Sequence, residues 1–182
     1  MTNNACTIHD ITALLARTPA ALDTLLRDLP DAWTRGNEGG ESWSAFDVVG
    51  HLIVGERTDW IPRARIILEH GESRPFDKFD RFAQFRENEG KSLAELLDEF
   101  ARLRAQGLET LRGWNLTAAD LAKTGRHPAL GTVTLWNLLS TWAAHDLTHL
   151  HQISRVIAHQ VREDVGPWTR YLGVMQCAGH SE

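Results

Sequence analysis

The chain has 182 residues with 24 Asp and Glu against 19 Lys and Arg, a formal charge of -5. That length fits one domain spanning residues 1–182, and the acidic balance, without any Lys/Arg block, argues against binding a nucleic-acid backbone. No apolar run approaches the 18 residues of a membrane span. The polar stretch Met1 to Asp10 lacks an apolar signal core, and two distant cysteines, Cys6 and Cys177, give no disulfide framework. A cytoplasmic protein without a membrane partner is expected.

In chain order, the first helical stretch covers about Ile8 to Leu29, with leucines at helical spacing and an interruption at Thr18-Pro19, where Thr18 reads as a cap. Asp31 to Gly40 reads as a loop. A second helix starts after Ser44, with Asp47 three residues on, and runs to about His70, with Pro62 as a kink or early stop. Gly71 to Gly90 is a connection studded with Phe76, Phe79, Phe82 and Phe85. Ser92 and Glu95 match a capping box for a third helix striped by Leu93, Leu96, Leu97, Phe100, Leu103, Leu108 and Leu111. Gly113 to Gly131 forms a second connection, in which Thr132-Val133-Thr134 is too short to read as a strand. The fourth helix runs from near Thr134 to about Val161, and a short terminal helix follows Gly166-Pro167. This order predicts an all-α fold: a four-helix bundle with long crossover connections and a short extra C-terminal helix.

Nine histidines are the chemical lead. His145 and His149 stand at i and i+4 on the fourth helix, so their rings share a face and can take one divalent metal. Gln152 and Thr141 fall on that face, whereas His151 points elsewhere. Asp146 replaces the glutamate of a His-Glu-x-x-His peptidase motif, sits about 100° round the helix, and has no extended zincin motif after it. His51 lies in the apolar run Val48 to Val54, where an imidazole needs a partner: a carbonyl or carboxylate in the core, or a metal shared with the other two. Gly55 leaves space beside His51, and Asp47 and Asp59 near the same face are candidates to orient ligands or bind substrate. Trp142, three residues before His145, is a candidate pocket wall; Trp43 and Trp60 can line the cavity or pack the bundle, with packing favoured. His127 precedes Pro128 in a loop that can reach the cavity mouth and is assigned no metal role. His9, His70, His159 and His180 read as surface residues.

Taken together, Trp43-Ser44, His51-Leu52, the run from Leu116-Thr117 through His127-Pro128 and Gly131 to Leu138-Leu139, and His145-Asp146-Leu147-Thr148-His149 with Gln152-Ile153 resemble the DinB/YfiT-like superfamily over roughly residues 20–161. The resemblance implies a four-helix bundle binding a divalent metal through His51, His145 and His149. Three imidazoles leave positions for water or substrate, and zinc or nickel suits nitrogen ligands. The resemblance further implies a metal-dependent enzyme on a small-molecule substrate, first a thiol-dependent S-transferase or isomerase-like activity on small electrophiles, with a low-molecular-weight thiol as co-substrate. The alternatives are a metal-dependent hydrolase using metal-bound hydroxide and a non-catalytic metal- or ligand-binding stress protein. A homodimer is expected from the surplus of apolar positions such as Leu103 and Leu172 and from the habit of relatives.

Overall fold

The computed structural model describes residues 6–177. The first helical arm is two pieces, α1 (Ile8–Leu15) and α2 (Thr18–Leu26), followed by a single turn, α3 (Asp31–Thr34). Thr18 is the first residue of α2 and not its side-chain cap; its hydroxyl is spent on Asp146, 128 residues away. The second arm is α4 (Ala45–Thr58), capped by the reciprocal Ser44–Asp47 box, and α5 (Trp60–His70). The break falls at Asp59, ahead of Pro62. Proline has no N–H for the carbonyl four residues back and its ring collides with that carbonyl, so it is tolerated only in the first turn of the new helix.

The connection after α5 is not wholly irregular. It contains a 3₁₀ turn, Gly71–Ser73, and a short helix, α6 (Ala83–Glu87). The third arm, α7 (Leu93–Gly113), begins at the Ser92–Glu95 box as the sequence predicts. Next comes α8 (Ala118–Leu121), then an antiparallel hairpin of β1 (Thr124–His127) and β2 (Gly131–Thr134), in register from Thr124↔Thr134 to His127↔Gly131. The short Thr-Val-Thr run is therefore a strand; its partner, Thr124 to His127, has no apolar alternation to announce it. The fourth arm, α9 (Leu135–His159), starts from the Thr134 cap. The expected short terminal helix at Gly166-Pro167 is present in 3₁₀ form, Gly166–Tyr171, between the turn α10 (Arg162–Val165) and a further 3₁₀ turn at Gly173–Met175. No helix among the described residues is long and apolar enough to cross a membrane.

Four arms pack as a bundle, α4 against α7 and α9, α1 against α9, and α2 against α7. The apolar interior has two parts. One gathers Leu15, Trp60, Ile67, Leu108, Leu139 and Trp142; the other gathers Leu22, Val49, Leu52, Leu96, Phe100 and Ile153. Arg104 joins them, its guanidinium carbon 4.9 Å from the Phe100 ring centre and 5.1 Å from that of Trp142. At the open end of the bundle the hairpin is tied on both sides: Phe76 N–H donates to the Arg126 carbonyl at 3.0 Å, and Leu135 N–H to the Lys123 carbonyl at 2.9 Å.

Candidate metal centre and its cavity

The sequence places His51 in the middle of α4 and His145 and His149 one turn apart on α9. Because α4 packs against α9, the three rings meet. His145 Nε2 lies 3.1 Å from His149 Nε2 and 3.3 Å from His51 Nε2, and all three rings offer nitrogens within 4.8 Å of one another. His149 is fully buried and His51 nearly so.

Burial pushes the His51 imidazole down to about 3, helped by His149 and by the charge of Arg81. His145 falls to about 2, again through burial first and then through its two neighbours and Arg104. Burial lowers His149 as well, against the opposing pull of Gln152 and Asp146. The three rings are therefore neutral at pH 7, each with one lone pair and one N–H.

Neutral rings cannot satisfy this arrangement by themselves. His149 Nδ1–H donates to Gln152 Oε1 at 2.8 Å, which turns its Nε2 lone pair towards His145. If His145 Nε2 carries a hydrogen, that hydrogen serves His149 and His51 Nε2 faces a donor already used; if it does not, His51 Nε2–H can serve it, but the lone pairs of His145 and His149 then face each other. The Nδ1 atoms of His51 and His145 are buried without a partner. A divalent cation that accepts all three lone pairs removes the conflict. Imidazole nitrogens at roughly 2.0–2.1 Å from a tetrahedral zinc ion lie about 3.3 Å apart, close to the 3.1 and 3.3 Å that separate His145 Nε2 from its two neighbours. The cluster can hold such an ion.

The histidines form the floor of a cavity of about 630 Å³. Its aromatic walls are Trp43, with ring centre 5.0 Å from His51, Phe79 at 5.3 Å from His51, and Trp60 at 5.1 Å from His145. Gly55 also lines it; a side chain there would press on Trp60 Nε1, 3.2 Å from a built Cβ. Asp59 reaches the cavity and pairs with Arg63, Oδ1 to Nη2 at 2.9 Å. Burial pushes the Asp59 carboxyl up to about 6, with Arg63 working in the opposite direction.

Other expectations are corrected. Asp47 is committed to its helix cap, Oδ2 accepting from Ser44 N–H at 2.9 Å and Ser44 Oγ at 2.6 Å, and does not line the cavity. Thr141 is exposed and lines no part of it; the turn of α9 around it packs through Leu138, Leu139 and Trp142 instead. Trp142 is not a cavity wall. It is fully buried, stacks on Trp60 with ring centres 5.7 Å apart, and donates from Nε1 to Glu56 Oε1 at 2.9 Å. Trp43 and Trp60 do both things the sequence allows: each packs against the core and each lines the cavity. Of the remaining histidines, His9, His70 and His151 are exposed, His159 is half-buried, and His180 lies outside the described residues.

Asp146 is buried in a charge cluster behind the histidines. Arg104 donates from Nη1 to Asp146 Oδ2 at 2.5 Å and from Nη2 to Asp146 Oδ1 at 2.9 Å. It also donates to Glu56 Oε1, from Nη2 at 2.8 Å and Nε at 3.1 Å, and from Nη1 to the Leu15 carbonyl at 2.8 Å. Thr18 Oγ1 completes Asp146 at 2.5 Å. Burial works against the charge on Arg104, but the bonds and charges of the two carboxylates outweigh it and hold the guanidinium protonated. The sequence carried a signal: Arg104 lies four residues after Phe100 and four before Leu108, on the apolar stripe itself.

A profile of the DinB superfamily matches residues 14–153. Among solved structures, YfiT from Bacillus subtilis, described as a probable metal-dependent hydrolase with an unusual four-helix bundle topology, is similar over 90% of this chain and 93% of its own. The TM-score is 0.72 at 19% sequence identity, a likeness of fold. No curated protein matches the sequence.

Proposed function

The chain belongs to the DinB superfamily, and on that premise we propose that it is a metal-dependent enzyme acting on a small molecule, with thiol-using transfer or isomerisation as the first reading. The observation that carries the proposal is the convergence of three neutral imidazoles, His51, His145 and His149, on the floor of a ligand-sized cavity. These three hold the metal, zinc or nickel by ligand type. When bound, such an ion acts as a Lewis acid and lowers the pKa of a thiol or water that reaches it.

The chain's own residues supply the rest. Gln152 fixes the His149 ring through Nδ1, so that Nε2 keeps its lone pair for the ion. Trp43, Trp60 and Phe79 wall the floor with aromatic rings. Aromatic walls also suit a polarisable sulfur, which favours the thiol reading. One observation favours hydrolysis as a second reading: Asp59, a carboxylate lining the same cavity and raised to about 6, is placed to hold or release a proton near neutral pH. The hydrolase description of YfiT points the same way.

Two measurements test this. Elemental analysis of the purified chain should give one divalent ion per chain, and His149→Ala should lose most of it. Full metal content in that variant removes the ligand assignment. With a panel of cellular thiols and a generic electrophile, the metal-loaded chain should form adducts, while the metal-free chain and His51→Ala should not; circular dichroism checks that His51→Ala keeps its helices. Turnover that needs metal but no thiol selects hydrolysis, and wild-type turnover by His51→Ala ends both readings.

A further inference from the structure

The cavity has the opposite charge to the molecule that contains it. The chain as a whole carries -5, yet three cations, Arg63, Lys78 and Arg81, line the cavity against a single carboxylate, Asp59. That carboxylate is already engaged by Arg63 at 2.9 Å. Lys78 and Arg81 stand exposed on the connection between α5 and α6, and neither forms an ion pair among the described residues. Asp80, between them in the chain, is held by Arg86. Low-dielectric walls around such a rim focus its field on whatever enters.

His127 adds a separate observation. Its Nδ1 accepts from the backbone N–H of Ala129 at 3.2 Å and of Leu130 at 3.1 Å, so Nδ1 carries no hydrogen. Burial, with the charge of Arg63, lowers its pKa, and the neutral ring then holds its hydrogen on Nε2. The ring lines the cavity, and Nε2 has no acceptor among the described residues. Apart from the engaged Asp59, the charged and imidazole groups of the rim are thus hydrogen-bond donors, while the walls below are aromatic.

We propose that the cavity recognises a small organic acid, its carboxylate received by Lys78, Arg81 and the Nε2–H of His127 and its body lying along Trp43, Trp60 and Phe79. That the far end of the molecule is the reacting end rests on the metal-centre reading; the carboxylate rim does not. The aromatic walls select an organic acid over an inorganic anion, since a bare anion makes no use of them.

The test uses phenylpropionate and phenylpropionamide, which share shape and differ in charge, titrated calorimetrically into the chain with a chelator present. The acid should bind about tenfold tighter than the amide, as charge-assisted bonds require. The double variant Lys78→Gln/Arg81→Gln, altered only at exposed positions, should erase that preference, bringing the acid down to the affinity of the amide. His127→Phe should weaken the acid by about fivefold. Equal binding of acid and amide, a preference that survives the double variant, or inorganic phosphate binding as tightly as the acid would each overturn the proposal. Metal content is read separately. An acid preference in a chain that takes up no metal leaves the rim standing and ends the metal reading; a chain that loads metal without any acid preference does the reverse.

Discussion

Two polar clusters are buried in this bundle, and consecutive residues of α9 feed them: His145 turns to the histidine floor and Asp146 to Arg104. The Arg104 cluster is closed. Its guanidinium has two carboxylates and a carbonyl, Glu56 has the Trp142 N–H, and Asp146 has the Thr18 hydroxyl. The histidine cluster is open, with two buried nitrogens unpartnered and three Nε2 atoms turned on one another. A saturated cluster fixes the arrangement of helices, whereas an unsaturated set of donors on a cavity floor has capacity left for a ligand. The first clamps α4, α7 and α9 and thereby sets the distances in the second.

The comparison is broken most severely at Arg104. Arg104→Met would leave Glu56 and Asp146 buried without their counter-charge, at a cost of about 3–5 kcal/mol. Urea unfolding of the metal-free chain should show that loss; a change under about 1 kcal/mol would mean that the cluster does not clamp the bundle. Acid should act on the other cluster. In an unfolded chain imidazole takes up its proton near 6.5, but folded His51 and His145 do so only near 3 and 2. Between those values the unfolded chain binds more protons, so the stability of the metal-free protein should fall as the pH drops below about 6.5. An unfolding midpoint unchanged between pH 7.5, above the window those values open, and pH 5, inside it, would contradict the burial of neutral rings. The smallest effect sharpens the contrast. Gln152→Leu should leave the fold intact and weaken metal binding by about ten- to a hundredfold, because it frees the outer nitrogen of His149 without removing a ligand. Competition with a metal indicator measures it, and unaltered affinity would show that Gln152 does not orient the ring.

Much of this was legible in the sequence where local rules act. The capping boxes at Ser44–Asp47 and Ser92–Glu95 fixed two helix starts, and the i, i+4 histidines with His51 in an apolar run marked the floor of the cavity. What local rules could not supply was the far side of each contact. Nothing near Thr18 announces Asp146, and spacing on α9 alone put Thr141 and Trp142 at the site without showing how far the neighbouring helices reach. The hairpin escaped because His127 and Thr124 are held by backbone pairing and not by an apolar face. The cavity rim escaped because Lys78 and Arg81 belong to a connection whose course depends on distant contacts, among them Arg63 to the Asp77 carbonyl and Phe76 N–H to the Arg126 carbonyl.

The bond from Phe76 to Arg126 separates two kinds of inheritance in the chain. The floor belongs to long helices, where every histidine is locked by packing. The rim belongs to two connections, around 77–82 and 127–130, stitched beside Gly125, where any side chain would strike Ile67, 2.6 Å from a built Cβ. Floor and rim can therefore diverge independently: descendants that keep the three histidines can exchange one small acid for another, or for an uncharged molecule, by rewriting about ten positions in those stretches. Laboratory evolution of the protein should start with libraries in those two stretches, with Gly125 and the helices held constant.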